Sequence, residues 1–126
     1  MTNQVRNPND RRYDLRERTA KFGEMIIILL KLIPVSPVSR PLIDQLVRSS
    51  TSIGANYMEA DGAESKKDFC HKIAICKKES METQYWLQML AKANPEKKEA
   101  LRKLWKEAHE FTLIFAKIIR SAREKN

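Results

Sequence analysis

Ser49 to Leu87 reads SSTSIGANYMEADGAESKKDFCHKIAICKKESMETQYWL, and it decides the fold because it holds two heptad patterns joined at one short break. The first half places Ile43, Leu46, Ser50, Ile53, Tyr57 and Ala60 at alternating steps of three and four. The second does the same with Phe69, Ile73, Cys76, Ser80, Thr83, Leu87 and Leu90. Such spacing keeps one stripe of each helix turned toward a common core. Between them, Asp61-Gly62 suits a left-handed helix stop, and Ser65-Lys66-Lys67-Asp68 has the spacing of a capping box with Asp in place of the usual Glu or Gln. The segment is therefore expected to form a helical hairpin.

Two more helices extend from it. Residues 1–12 (MTNQVRNPNDRR) have almost no apolar content and no period, and read as a flexible N-terminal arm. A first helix is expected from Asp14 to Ile33, with Leu15, Thr19, Phe22, Ile26, Leu29 and Ile33 on its core stripe, and Pro34-Val35-Ser36-Pro37 ends it. Asn94-Pro95 supplies an N-cap and a proline at the first position of a fourth helix. Its stripe of Leu101, Leu104, Ala108, Phe111, Phe115, Ile118 and Ala122 runs to the C-terminus. With no strand signal, the expected fold is all-α, an antiparallel up-down-up-down four-helix bundle over residues 13–126.

The 126 residues fit one domain with a core large enough to fold without staples. Cys70 and Cys76, six apart on one helix, face different ways and suit a reducing compartment. The N-terminus lacks the order of a signal peptide, and the longest apolar run, Met25 to Leu30, is far short of a membrane span. A soluble, cytoplasmic protein without a membrane partner is expected.

Three further features bear on function. The apolar faces of the first and fourth helices are wider than one bundle core requires. Ile27, Ile28 and Leu30 in MIIILL, with Leu113 and Ile114 in FTLIFAKII, imply a second buried surface between copies of the chain. In the second helix, Gly54 costs about 1 kcal/mol relative to alanine, so Ser49, Ser50, Ser52, Gly54 and Ala55 are expected to mark the tightest helix crossing. Beside that seam runs a polar line of Ser49, Ser52, Asn56 and Glu59, matched by Glu79 and Glu82 on the third helix and joined by Arg48. It is expected to be a hydrogen-bonded network fixing register, with Asn56 and Glu59 at least partly buried and bonded across the seam or to an adjoining chain, rather than a polar binding pocket.

Charge is the third feature. The chain carries 24 basic and 16 acidic side chains, a formal net charge of +8. Residues 1–40 hold eight basic and four acidic groups, residues 41–92 seven and seven, and residues 93–126 nine and five. The surplus sits on the arm and the first and fourth helices, which are neighbours in the expected topology. Lys98, Arg102 and Lys106 recur on one line, Lys117, Arg120 and Arg123 follow, and Arg11, Arg12, Arg16 and Lys21 can join them. Such a stripe suits contact with an RNA or DNA phosphate backbone, whereas interleaved Glu99, Glu107 and Glu110 would make it a solvated face.

Catalysis finds little support. There are two histidines, no glycine-rich phosphate loop and no nucleophile elbow. Asp68 and His71 stand three apart, but a carboxylate-bridged di-iron bundle needs two Glu-x-x-His pairs and further glutamates. No metal or cofactor is expected.

The segment SIGANYMEADGAESKKDFCHKIAICKKESMETQYWL closely resembles the signature of the bacterial four-helix-bundle proteins encoded in intervening sequences of 23S ribosomal RNA genes. YDLRERTAKFG at Tyr13 to Gly23 resembles the opening of that family's first helix. Gln45 to Ser50 and Ser52 to Asn56 resemble its second, and Glu59, Ser65, Lys66, Phe69 and Glu82 fall on matching positions. Many members carry a tryptophan early in the first helix; this chain reads Arg16-Glu17-Arg18, which leaves the packing role to Phe22. The resemblance implies a homo-oligomer, typically a ring of five bundles, with no established enzymatic activity. A wider relationship, to accessory factors of diversity-generating retroelements, implies binding to nucleic acid and a reverse transcriptase. The expectation is thus a non-catalytic, basic, oligomeric accessory protein that binds nucleic acid, the alternative being an oligomeric protein scaffold that does not.

Overall fold

The computed structural model describes residues 11–124, with side chains from Leu15 onward. Four long helices make up almost all of it: α1 (Arg11–Leu30), α2 (Ser39–Asp61), α3 (Lys66–Ala93) and α4 (Lys98–Glu124), with one 3-10 turn, Pro95–Lys97, before α4. No strand occurs among the described residues. Each helix packs on its neighbours in chain order and α1 closes on α4, giving a four-helix bundle in which α1 and α4 approach least among adjacent helices. The helix α1 begins at Arg11, ahead of the expected start at Asp14, and the rest of the expected arm lies outside the described residues.

The chain punctuation is partly as expected and partly different. The helix α1 stops at Leu30, not Ile33, because Pro34 disfavours α geometry in the residue before it. The chain tightens instead, with Leu32 N bonding to Leu29 O at 2.9 Å and Ile33 N to Leu30 O at 3.2 Å, and Ile33 stays buried. Ser36 and Ser39 then hold the next turn by donating each backbone N–H to the other's hydroxyl, at 2.8 and 3.0 Å. Gly62 is not a left-handed stop, since its φ is −99°. There α2 ends through right-handed bonds from Gly62 N to Met58 O and Ala63 N to Ala60 O. Ser65 caps α3 as expected, its Oγ accepting from Asp68 N at 3.0 Å. Asn94 faces backward: its Nδ2 donates to Leu90 O at 3.2 Å, so its side chain closes α3 and does not cap the 3-10 turn that leads into α4.

The core stripes follow the three-four spacing. Leu15, Thr19, Phe22, Ile26, Leu29 and Ile33 are all buried, as are Leu46, Ser50, Ile53, Tyr57 and Ala60 of α2 and Ile73, Cys76, Ser80, Thr83, Leu87 and Leu90 of α3. Ile43 and Phe69, at the ends of their stripes, are half-buried. In α4 the buried position passes from the expected Ile118 to Ile119, because a straight helix drifts against a strict heptad and the seam must step by one residue over this length. A chain of aromatic contacts spans the interior: Phe22 meets Phe111 edge-on at 5.4 Å, Phe111 meets Phe115 at 6.1 Å, and Phe115 meets Tyr57 at 6.2 Å. Phe22 thus fills the packing role expected of it. Each such ring contributes about 1.5–3 kcal/mol by burial, so these contacts outweigh any surface ion pair in holding the bundle.

The small residues of α2 serve two crossings. A Cβ on Gly54 would lie 3.2 Å from Thr19 Oγ1 and 3.4 Å from Thr19 Cβ, which sets the approach of α1. On the other side, Thr83 of α3 donates to Ser49 Oγ at 2.9 Å inside the core. Ala55, expected in the same crossing, is exposed, and Ser52 is only half-buried. Burial raises the Cys76 thiol to about 12, so it is a packing group and not a thiolate.

The Gly54 contact makes a testable double-mutant cycle. Gly54→Ala should forfeit most of the ~1 kcal/mol that alanine brings to a helix, because the new methyl meets Thr19 Oγ1. In a Thr19→Ala background that loss should shrink, with a coupling of about 0.5–1 kcal/mol read from denaturant unfolding. Equal effects in both backgrounds would mean that α1 is not held against Gly54.

Candidate nucleic-acid interface

On either side of its buried stripe, α4 has two flanks of opposite character. The flank toward α1 carries Glu107 and Glu110. Arg18 reaches across to them, with Nε donating to Glu107 Oε2 at 2.7 Å, Nη2 to Glu107 Oε1 at 2.8 Å, and Nη2 to Glu110 Oε1 at 3.3 Å. Its guanidinium also lies 5.2 Å from the centre of the Phe111 ring. Two of the acids expected to dilute the α4 charge are therefore taken up by α1. The third, Glu99, makes no ion pair among the described residues.

The flank toward α3 is the basic one. Thr112 Oγ1 donates to Gln84 Oε1 at 3.0 Å and Gln84 Nε2 lies 3.3 Å from His109 Nδ1, so Gln84 joins the two helices at mid-length. Beyond that junction, toward the Asn94–Pro95 turn, α3 and α4 leave a groove of about 780 Å³. Its apolar wall includes Leu87, Ala91, Leu101 and Trp105, and Lys92, Lys98, Arg102 and Lys106 also line it. None of these four cations makes an ion pair among the described residues. On the far side of the junction, a second hollow of about 450 Å³ is lined by Lys77, Lys78, Arg120 and Arg123. Arg102 and Arg120 are 18 residues apart, about five full turns, so both hollows open on the same side of the seam.

The expected cations thus divide. Lys98, Arg102 and Lys106 line the groove, and Arg120 and Arg123 lie farther along the same side. Lys117 faces the opposite flank beside Ile114 and Ile118. Arg16 is paired with Asp61 at 3.2 Å, and Lys21 is exposed on α1. The side chains of Arg11 and Arg12 lie outside those described. The partners of the α4 line come from α3 rather than from α1. Lys92 and Trp105 are additions to the expected site. Their signal was the antiparallel return of the chain after Asn94–Pro95, which sets the end of α3 beside the start of α4, and an aromatic residue placed between Arg102 and Lys106.

Part of the polar line on α2 and α3 forms a network across the seam. Arg48 Nη1 donates to both carboxylate oxygens of the buried Glu79 at 3.3 and 3.4 Å, and its Nη2 donates to Glu82. Glu82 in turn accepts the indole N–H of Trp86 at 2.9 Å. The expected cross-seam role of Asn56 needs correcting, since its Nδ2 bonds to Ser52 O and Ser52 Oγ, both at 2.9 Å and both on its own helix. Glu59 does cross the seam, to Lys72 Nζ at 2.7 Å, but it is exposed rather than partly buried. Asn56 is short enough to close on the preceding turn, whereas Glu59 follows the outward edge of α2. Among the described residues no three His, Cys, Asp or Glu side chains gather as a metal site, and no helix is long and apolar enough to cross a membrane.

A four-helix bundle built on this hairpin, with charge sorted to opposite flanks of its last helix, defines the class. The chain belongs to the 23S rRNA-intervening sequence protein family, whose pattern matches residues 11–123. It is also similar to a crystal structure, at 1.70 Å, of a protein with unknown function from the S23 ribosomal protein family of Bacteroides thetaiotaomicron VPI-5482. The two share 31% identity over 83% of this chain and 97% of that one, with a TM-score of 0.72. No curated protein matches the chain.

The Trp86 N–H bond, and then Arg48, hold the Glu82 carboxyl below its ordinary value, with burial opposing them only in part. A lowered folded-state pKa contributes stability above the unfolded value near 4.3 that is lost as pH falls through the folded value. Glu82→Gln should therefore flatten the loss of unfolding stability below about pH 4.3, as read from denaturant midpoints across that range. An unchanged acid limb would show that the network does not hold Glu82 in its charged form.

Proposed function

We propose that the protein is a non-catalytic accessory factor that binds nucleic acid through its phosphate backbone along the α3–α4 seam. The observation that carries this reading is the groove with Lys92, Lys98, Arg102 and Lys106, whose positive charge has no carboxylate partner among the described residues. Cations left unpaired on one side of a rigid helix pair raise the local concentration of a polyanion, and their contact with it releases condensed counterions. The family name records that members are encoded in intervening sequences of 23S rRNA genes, so the reading rests on the groove and not on the name. A reverse transcriptase as a further partner rests on the wider resemblance alone.

The same reading includes self-association, for which one further observation speaks. Met25, Ile28, Leu32, Val35 and Val38, near the end of α1 and in the linker after it, are 48–64% exposed. This shifts the expected association surface. Leu30 is buried in the bundle core, where the closing turn of α1 turns it inward, and Ile114 packs half-buried against that core. Ile27, Ile28 and Leu113 remain exposed. A scaffold that assembles through this apolar surface without binding nucleic acid is the competing reading.

Two measurements separate them. In gel-shift titrations at several salt concentrations, wild-type affinity should fall steeply with salt, and a Lys98→Ala, Arg102→Ala, Lys106→Ala triple variant should lose roughly two to three units of slope per chain engaged. A scaffold would show no binding, and a slope untouched by the triple variant would place the contact elsewhere. Light scattering should report several chains per particle, with Ile28→Glu weakening association by burying an unpaired charge; a monomer at micromolar concentration would remove self-association from the account.

A further inference from the structure

We infer that the groove selects nucleic acid with unpaired bases, a base packing against Trp105 while the lysines and arginine beside it hold the flanking phosphates. This rests on the phosphate-binding reading above and deepens it. The two tryptophans of the chain differ in a way that matters here. Trp86 has its indole N–H committed to Glu82 at 2.9 Å. Trp105 has no hydrogen-bond partner among the described residues, and because no buried polar side-chain atom is unsatisfied, its N–H reaches solvent. The ring is only half-buried and lines the groove. His109, one turn on, stacks with it at 5.3 Å and 12° between planes.

The surroundings suit a nucleobase. Leu87, Ala91 and Leu101 give an apolar wall, and the volume of about 780 Å³ is ample for a base and its sugar. Lys92, Lys98, Arg102 and Lys106 line the same groove. A duplex carries its phosphates outside and its base faces inside the stack. It can meet the cations, but it leaves Trp105 and the apolar wall wet. An unpaired strand offers both a phosphate chain and a free aromatic face, and the pairing of cationic groove with aromatic side chain is the arrangement that single-strand binding uses. Charge alone predicts the opposite preference, since a duplex has the higher charge density.

The test is a fluorescence-anisotropy competition between a dT 20-mer, a U 20-mer and a dT·dA duplex of the same length at one salt concentration. Both single strands should bind more tightly than the duplex. Trp105→Ala should weaken single-strand binding roughly 5- to 150-fold while leaving the salt slope unchanged, and Trp105→Phe should retain most of the affinity. Equal or tighter duplex binding by the wild-type protein overturns the inference and leaves phosphate binding standing. So does single-strand affinity that is indifferent to a folded Trp105→Ala variant. Absence of binding to all three ligands overturns both readings. The wild-type ratio decides the matter even if Trp105→Ala does not fold.

Discussion

The bidentate ion pair of Arg18 with Glu107 ties together the two aspects of this structure, its closure and its charge. The α1 and α4 backbones approach least among neighbouring helices, and long side chains bridge them: Arg18 on the outside, Phe22 against Phe111 beneath. The aromatic contact supplies most of the free energy, since a third-exposed ion pair contributes on the order of 1 kcal/mol or less. What the ion pair adds is placement. Arg18 meets the charge of Glu107 and Glu110, so these two carboxylates are paired with α1 and not with Lys98, Arg102 and Lys106.

The rest of the bundle makes that side a firm surface. Arg48 joins Glu79 and Glu82 across α2 and α3, Ser49 and Thr83 meet inside the core, and Gln84 links α3 to Thr112 and His109 of α4. These bonds specify register more than they stabilise, because each replaces contacts that water would make. Register is what sets Lys92 beside the first turns of α4 and brings Leu87 and Trp105 into one groove. Helices so joined fix the backbone that carries these side chains, so the order lost on binding falls on the side chains alone.

Much of this was legible in the sequence. Heptad stripes named most of the core of all four helices, because a buried face leaves a period, and they failed at the end of α4, where the seam steps from Ile118 to Ile119. Less legible were the details decided by two chains of residues at once. Gly62 promised a left-handed turn, but helix ends can also close by right-handed i→i+3 bonds. Asn94 satisfied the helix behind it instead of the one ahead. Leu30 belonged to a wide apolar run in which only the closing turn of α1 decides which residue points inward. At the candidate site, the α4 basic line was visible, but the groove it lines is shared with α3, since charge counts along a chain do not say which neighbour a helix face meets. Lys92 and Trp105 became evident only once the antiparallel turn had set α3 beside α4.

If the sorting of charge across α4 makes the α3–α4 seam the surface that meets nucleic acid, backbone amide chemical-shift mapping with a short unlabelled oligonucleotide should reveal it. Perturbations are expected to concentrate between residues 85 and 109 and to extend toward residues 77–78 and 120–123 as the strand is lengthened, with the α2 signals little changed. Perturbations centred on α1 or on the Arg48–Glu79–Glu82 network, with the α3–α4 groove silent, would contradict it.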